Sequence, residues 1–96
     1  MTRTLMVARA MVRPGQGDRY RDLLAERAAE VRGRGAKFWV FRSRVDPGAY
    51  LEFVEAGERA GARTEREIEL ERTSRALAVY APDSDDVWEE VECRDG

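Results

Sequence analysis

The sequence predicts an α+β protomer in the order strand, helix, strand, strand, helix, strand. Three observations carry this. Apolar residues alternate at strand spacing in four segments, they recur at helical spacing in two, and turn residues punctuate every junction. Two helices can cover one face of a four-stranded antiparallel sheet. The 96 residues fit a single domain spanning 1–96.

Thr4 to Val12, TLMVARAMV, reads as the first strand. Leu5, Val7, Arg9 and Met11 fall on one side, and Met6, Ala8, Ala10 and Val12 on the other. Arg9 is a charge in mid-strand and requires a partner or a route to water. Arg13-Pro14-Gly15-Gln16-Gly17 ends the strand. A helix is expected from Asp18, a plausible N-cap, to about Val31. Tyr20, Leu23, Leu24, Arg27, Ala28 and Val31 form its inner stripe. Gly33-Arg34-Gly35 closes it.

Ala36 to Ala56, AKFWVFRSRVDPGAYLEFVEA, is expected to form a hairpin. Lys37–Val45 and Ala49–Ala56 are its strands, turned at Asp46-Pro47-Gly48. A tight turn there sets Val45 opposite Tyr50, Ser43 opposite Glu52, Phe41 opposite Val54 and Trp39 opposite Ala56. The other side then carries Phe38, Val40, Arg42 and Arg44 against Leu51, Phe53 and Glu55. A sheet wet on one side alternates apolar and polar residues, and this one does not. One protomer has helices for one face only. The other face therefore calls for a second chain, and a two-fold homodimer is the simplest supplier.

Thr64-Glu65-Arg66-Glu67 fits a capping box at the start of a second helix. That helix is expected to run to about Tyr80, before Pro82. Its inner stripe is Leu70, Thr73, Ser74, Leu77 and Tyr80, with Ile68 and Val79 on a thin second stripe. Asp83-Ser84-Asp85-Asp86 reads as an acidic turn without the glycine and distal glutamate of a calcium loop. Val87 to Cys93, VWEEVEC, is the expected fourth strand, with acidic alternation suited to a sheet edge.

Composition excludes much chemistry. Charged residues make up 38% of the chain but nearly balance, at a net charge of −2. Nucleic acid and anionic membrane are therefore not expected partners. No apolar run approaches the roughly 20 residues of a membrane span, and the N-terminus shows no signal-peptide pattern. Cys93 is the single cysteine, which rules out an internal disulfide and suits a cytoplasmic protein. The chain has neither histidine nor asparagine. Histidine-based triads and histidine-ligated zinc or haem are thus absent, and Cys93 has no histidine to activate it.

The strand Leu5–Val12 leading into Arg13-Pro14-Gly15, the amphipathic helix from Asp18, and the strands KFWVFR and YLEFVE together resemble the antibiotic biosynthesis monooxygenase family. The resemblance covers roughly residues 4 to 92. It implies a ferredoxin-like βαββαβ protomer whose sheet packs against a second one in a dimeric α+β barrel. It also implies cofactor-independent oxidation of an apolar aromatic substrate, with no cofactor or metal. The family sites that use asparagine or histidine have no counterpart here.

The candidates that remain are Tyr50 and Arg42 as catalytic residues, and Trp39, Arg9, Glu52 and Trp88 as substrate-binding residues. Tyrosine can donate to a substrate oxygen, guanidinium groups can hold an oxyanion, and tryptophan can stack an aromatic ring. Structural roles compete with each. The arginines can form ion pairs with Glu52, Glu55 or Glu90, and the aromatics can belong to the core. The alternative function is a non-catalytic barrel that binds a hydrophobic ligand or serves in assembly.

Overall fold

A computed structural model describes residues 2–93. The elements are β1 (Thr4–Val12), α1 (Gly17–Gly33), β2 (Lys37–Arg42), β3 (Ala49–Ala56), α2 (Glu65–Leu77), β4 (Ala78–Tyr80) and β5 (Val87–Glu89). The sheet is antiparallel with strand order β2-β3-β1-β4, and β5 pairs with the other end of β1. Both helices lie on one face. The result is the ferredoxin-like α+β arrangement, with its fourth strand position filled in two pieces.

Four expectations need correction. The hairpin does not turn tightly at Asp46-Pro47-Gly48. Arg42, not Val45, sits opposite Tyr50, Phe41 faces Leu51 and Trp39 faces Phe53. The cause is Ser43, whose hydroxyl accepts from the Val45 and Asp46 N–H groups at 3.1 and 3.0 Å. The Asp46 carboxylate in turn accepts from the Gly48 N–H at 3.0 Å. Residues that would have extended the strand are spent on a self-bonded loop. The displacement is by an odd number of residues, so every side chain of β2 meets a different set of partners.

The second helix stops at Leu77, not Tyr80. The Arg13 N–H donates to the Leu77 carbonyl at 2.9 Å, and Ala78–Tyr80 join β1 as a strand. Val79 consequently lies on the helix-free face of the sheet. The expected strand Val87–Cys93 pairs only over Val87–Glu89. At the start of α1 the N-cap is Gln16, without a side-chain bond. Asp18 lies in the first turn, where it pairs with Arg21.

The stripes on the helices pack as their spacing requires. Tyr20, Leu23 and Val31 of α1 and Leu70, Ser74 and Leu77 of α2 are buried. They pack on Ala10, Tyr50 and Ala78 at one end of the sheet and on Ala36 and Phe38 at the other. Gly35 ends α1 at φ +86°, a conformation in which a side chain would be strained. The opposite face carries Met11, Trp39, Phe41, Val79 and Trp88, each between 42% and 59% exposed. The two-sided apolar sheet expected from the sequence is present.

Candidate functional site

On the helix side, Glu52 of β3 is 2% exposed and is the centre of a polar cluster. Its Oε2 accepts from the hydroxyls of Tyr20 and Tyr80, each at 2.6 Å. Its Oε1 accepts from Arg27 at 2.8 Å. Arg27 also donates to Ser74 Oγ at 3.3 Å and lies 5.1 Å from the centre of the Phe38 ring. The polar members of the cluster come from α1, β3, α2 and β4. A buried carboxylate needs such company, since each lone pair left bare costs free energy.

The electrostatics follow from that geometry. Burial and then the neighbouring Glu52 charge push the ionisation of Tyr20 far up, and Tyr80 is raised for the same reasons. Burial opposes the charge on Arg27, but Glu52 and the other acceptors around it outweigh burial and raise its ionisation. Both tyrosines stay neutral donors, and Arg27 stays a cation.

Beside the cluster lies a cavity of about 30 Å³ lined by Arg27, Glu52, Glu71, Arg75, Tyr80 and Asp85, among others. That is room for a water molecule or two, not for an aromatic ring. The Arg27 Nε is buried next to it without a protein partner. Burial raises the Glu71 carboxyl above its ordinary range.

On the helix-free side the sheet forms a hollow of about 790 Å³. Its wall includes Arg9, Met11, Phe41, Arg42, Leu51 and Val79. A second hollow of about 250 Å³, lined by Val7, Arg9, Leu51, Asp83 and Trp88, adjoins it through Arg9 and Leu51. Arg9 is exposed and stands among apolar neighbours. Among the described residues, neither Arg9 nor Arg42 has a side-chain hydrogen bond or ion pair. Glu52 is taken by Arg27, while Glu55 and Glu90 are taken by Arg3.

The six candidate residues therefore divide. Arg9 and Arg42 border the large hollow, and Arg9 and Trp88 share the small one. Trp39 is on the same face, opposite Phe53, and borders neither hollow. Glu52 belongs to the buried cluster. Tyr50 borders the large hollow, yet it is only 5% exposed. Its ring packs 4.8 Å from that of Tyr20, and its hydroxyl accepts from Arg21 at 3.2 Å. The residues not foreseen as site members are Tyr20, Arg27, Ser74 and Tyr80. The signal for them was an arginine inside an apolar helix stripe, which demands a buried acid across from it.

Among the described residues no group of three or more histidine, cysteine, aspartate or glutamate side chains is placed to hold a metal ion. No helix is long and apolar enough to cross a membrane.

No family model matches the chain, and no curated protein matches it. Solved structures do. A putative antibiotic biosynthesis monooxygenase from Chloroflexus aurantiacus superposes with a TM-score of 0.66 at 20% identity, covering 100% of this chain and 97% of that one. SnoaB, a cofactor-independent oxygenase from Streptomyces nogalater, gives 0.71 at 13% identity, covering 99% and 97%. A conserved protein from Methanosarcina mazei gives 0.72 at 13%, covering 94% and 92%. At these identities the likeness shows the fold: the chain has the architecture of antibiotic biosynthesis monooxygenase proteins.

Proposed function

We propose that the chain is a homodimer whose helix-free sheet faces meet, and that it holds a small aromatic molecule bearing an acidic oxygen between them. The observation that carries this reading is the large hollow. It is apolar across four strands, and its charged lining includes Arg9, whose guanidinium group has no side-chain partner among the described residues. An aromatic body suits such a wall, and a phenolate or carboxylate suits Arg9. Trp88, and Trp39 on the same face, supply flat apolar surface near it.

The reaction that fits is oxygenation without a cofactor. An electron-rich, ionised aromatic can itself reduce dioxygen, so the protein need only bind it, exclude water and stabilise the oxyanion. The solved SnoaB structure, of a cofactor-independent oxygenase, shares this fold. Oxygen uptake measured against a panel of phenols and naphthols tests the reading. Uptake that requires protein and falls at least tenfold in Arg9→Gln supports it. A panel that neither quenches tryptophan fluorescence nor consumes oxygen refutes it.

A second reading, binding without turnover, has its own support. Glu52 is saturated by three donors, and the other fully buried acid, Glu67, is held by Arg34 at 2.6 and 3.0 Å. Neither offers a free base. Ligand binding with no oxygen uptake would select this reading.

A further inference from the structure

We propose that the small cavity on the helix side is a binding site for a resident water molecule, held between Arg27 Nε, Glu52 and Glu71, which completes the hydrogen bonding of the buried guanidinium. The site lies across the sheet from the large hollow and is independent of the function proposed above.

Arg27 supplies the demand. It is 5% exposed. Its Nη1 is spent on Glu52 at 2.8 Å and on Ser74 Oγ at 3.3 Å. Its Nε–H is buried with no hydrogen-bond partner among the described residues. A buried donor left bare carries its full desolvation penalty, so native interiors nearly always provide an acceptor.

The facing wall supplies the acceptors. Glu71 of α2 and Arg27 of α1 each act on the other's ionisation, so their charges lie close. Yet they form no direct ion pair. Arg27 bonds to Glu52, and Glu71 bonds to Arg63. Charges that interact without touching leave a gap, and the cavity of about 30 Å³ that both residues line is that gap. Glu52 borders it as well. Its Oε2 is filled by two tyrosine hydroxyls, whereas Oε1 accepts from Arg27 and keeps a second lone pair. A water placed there accepts from Arg27 Nε and donates to Glu52 and Glu71. Three hydrogen bonds are the usual number for an internal water.

Charge selects the occupant. The lining carries the carboxylates of Glu52, Glu71 and Asp85 and the guanidinium groups of Arg27 and Arg75. An anion would meet three acids, and a cation would meet two arginines. A neutral molecule that both donates and accepts suits every wall. An apolar molecule suits only the floor at Ala8 and leaves Arg27 Nε bare. Arg75 and Asp85, paired at 2.6 Å, form the solvent-exposed rim through which water enters from bulk. Burial pushes the Glu71 carboxyl up, and a donor inside the cavity opposes that push.

A wet cavity and a dry one respond to filling with opposite signs. Ala8 of β1 lies opposite Glu52 of β3 and forms part of the floor. Ala8→Val adds two methyl groups there and is the better strand former. In a dry cavity it removes a void and raises the thermal midpoint. With water bound, it expels the water and strands Arg27 Nε, and the midpoint should fall by about 5 °C. Nuclear magnetic resonance of the intact parent gives the direct readout. The Arg27 Nε–H, assigned through its own side-chain carbons, should show a dipolar cross-peak to a long-lived water, and Ala8→Val should lose it. A parent without that cross-peak, or an Ala8→Val chain with a higher midpoint, overturns the proposal.

Discussion

Glu52 is the most consequential single residue. Its three donors are positioned by the packing of both helices, so removing one leaves charge in the core rather than a surface gap. Arg27→Met should cost about 3–5 kcal/mol in urea unfolding, the range for breaking a buried pair. Glu52→Gln with Arg27→Met should recover part of that loss, since no lone ion remains. Tyr80→Phe should cost about 1–3 kcal/mol, because one lone pair of a buried acid loses its donor. The pH dependence has a definite sign. Tyr20 and Tyr80 have raised ionisations when folded, so their contribution is complete below the unfolded tyrosine value of about 10 and is lost as pH climbs beyond it. Alkaline unfolding followed by circular dichroism should be steeper in the parent than in the Tyr20→Phe, Tyr80→Phe double variant. Part of this was legible beforehand. Arg27 interrupts an apolar stripe and Glu52 interrupts an apolar strand, but nothing in their spacing reveals that the two meet.

At the scale of elements, local chemistry was read better than its reach. Thr64 caps α2 as the capping box requires, accepting from the Glu67 N–H at 3.0 Å. It also donates to Glu30 of α1 at 2.7 Å, and Glu67 turns to Arg34 instead of closing the box. Thr64→Ala should thus cost about 1–2 kcal/mol, at the upper end for a cap, read as a drop in the thermal midpoint. The hairpin register escaped the sequence because Asp-Pro-Gly suits a tight turn equally well, and only the Ser43 hydroxyl bonds choose the wider loop. Ser43→Ala should lower stability by about 1 kcal/mol while leaving the fold intact, checked by urea titration with the far-ultraviolet spectrum. The early end of α2 was hidden likewise. Ala78–Tyr80 continue the helical period, and the competing partner is β1, far away in the chain.

For the molecule as a whole, the sheet with two apolar faces was the most legible feature. The aromatic and aliphatic residues of β1, β2 and β3 leave no polar side in any register. Which residues share which face was not legible, because that depends on the register. The six candidates consequently fall on both sides of the sheet, with Arg9, Trp39 and Trp88 on one and Tyr50, Glu52 and Arg42, the strand partner of Tyr50, on the other. If two faces meet, Phe41→Glu should convert a dimer to monomers at micromolar concentration, measured by light scattering. Phe41 is 59% exposed in one protomer, so the folded subunit tolerates the change while the joined one does not.

The spread of Glu52's partners along the chain also constrains how the protein is made. Tyr20 and Arg27 precede it, whereas Tyr80 follows it by 28 residues. Until Tyr80 has left the ribosome, the carboxylate lacks one of its donors and the central strand its β4 neighbour. Synthesis from the N-terminus therefore cannot lock this interior piece by piece; it closes only when β4 has emerged.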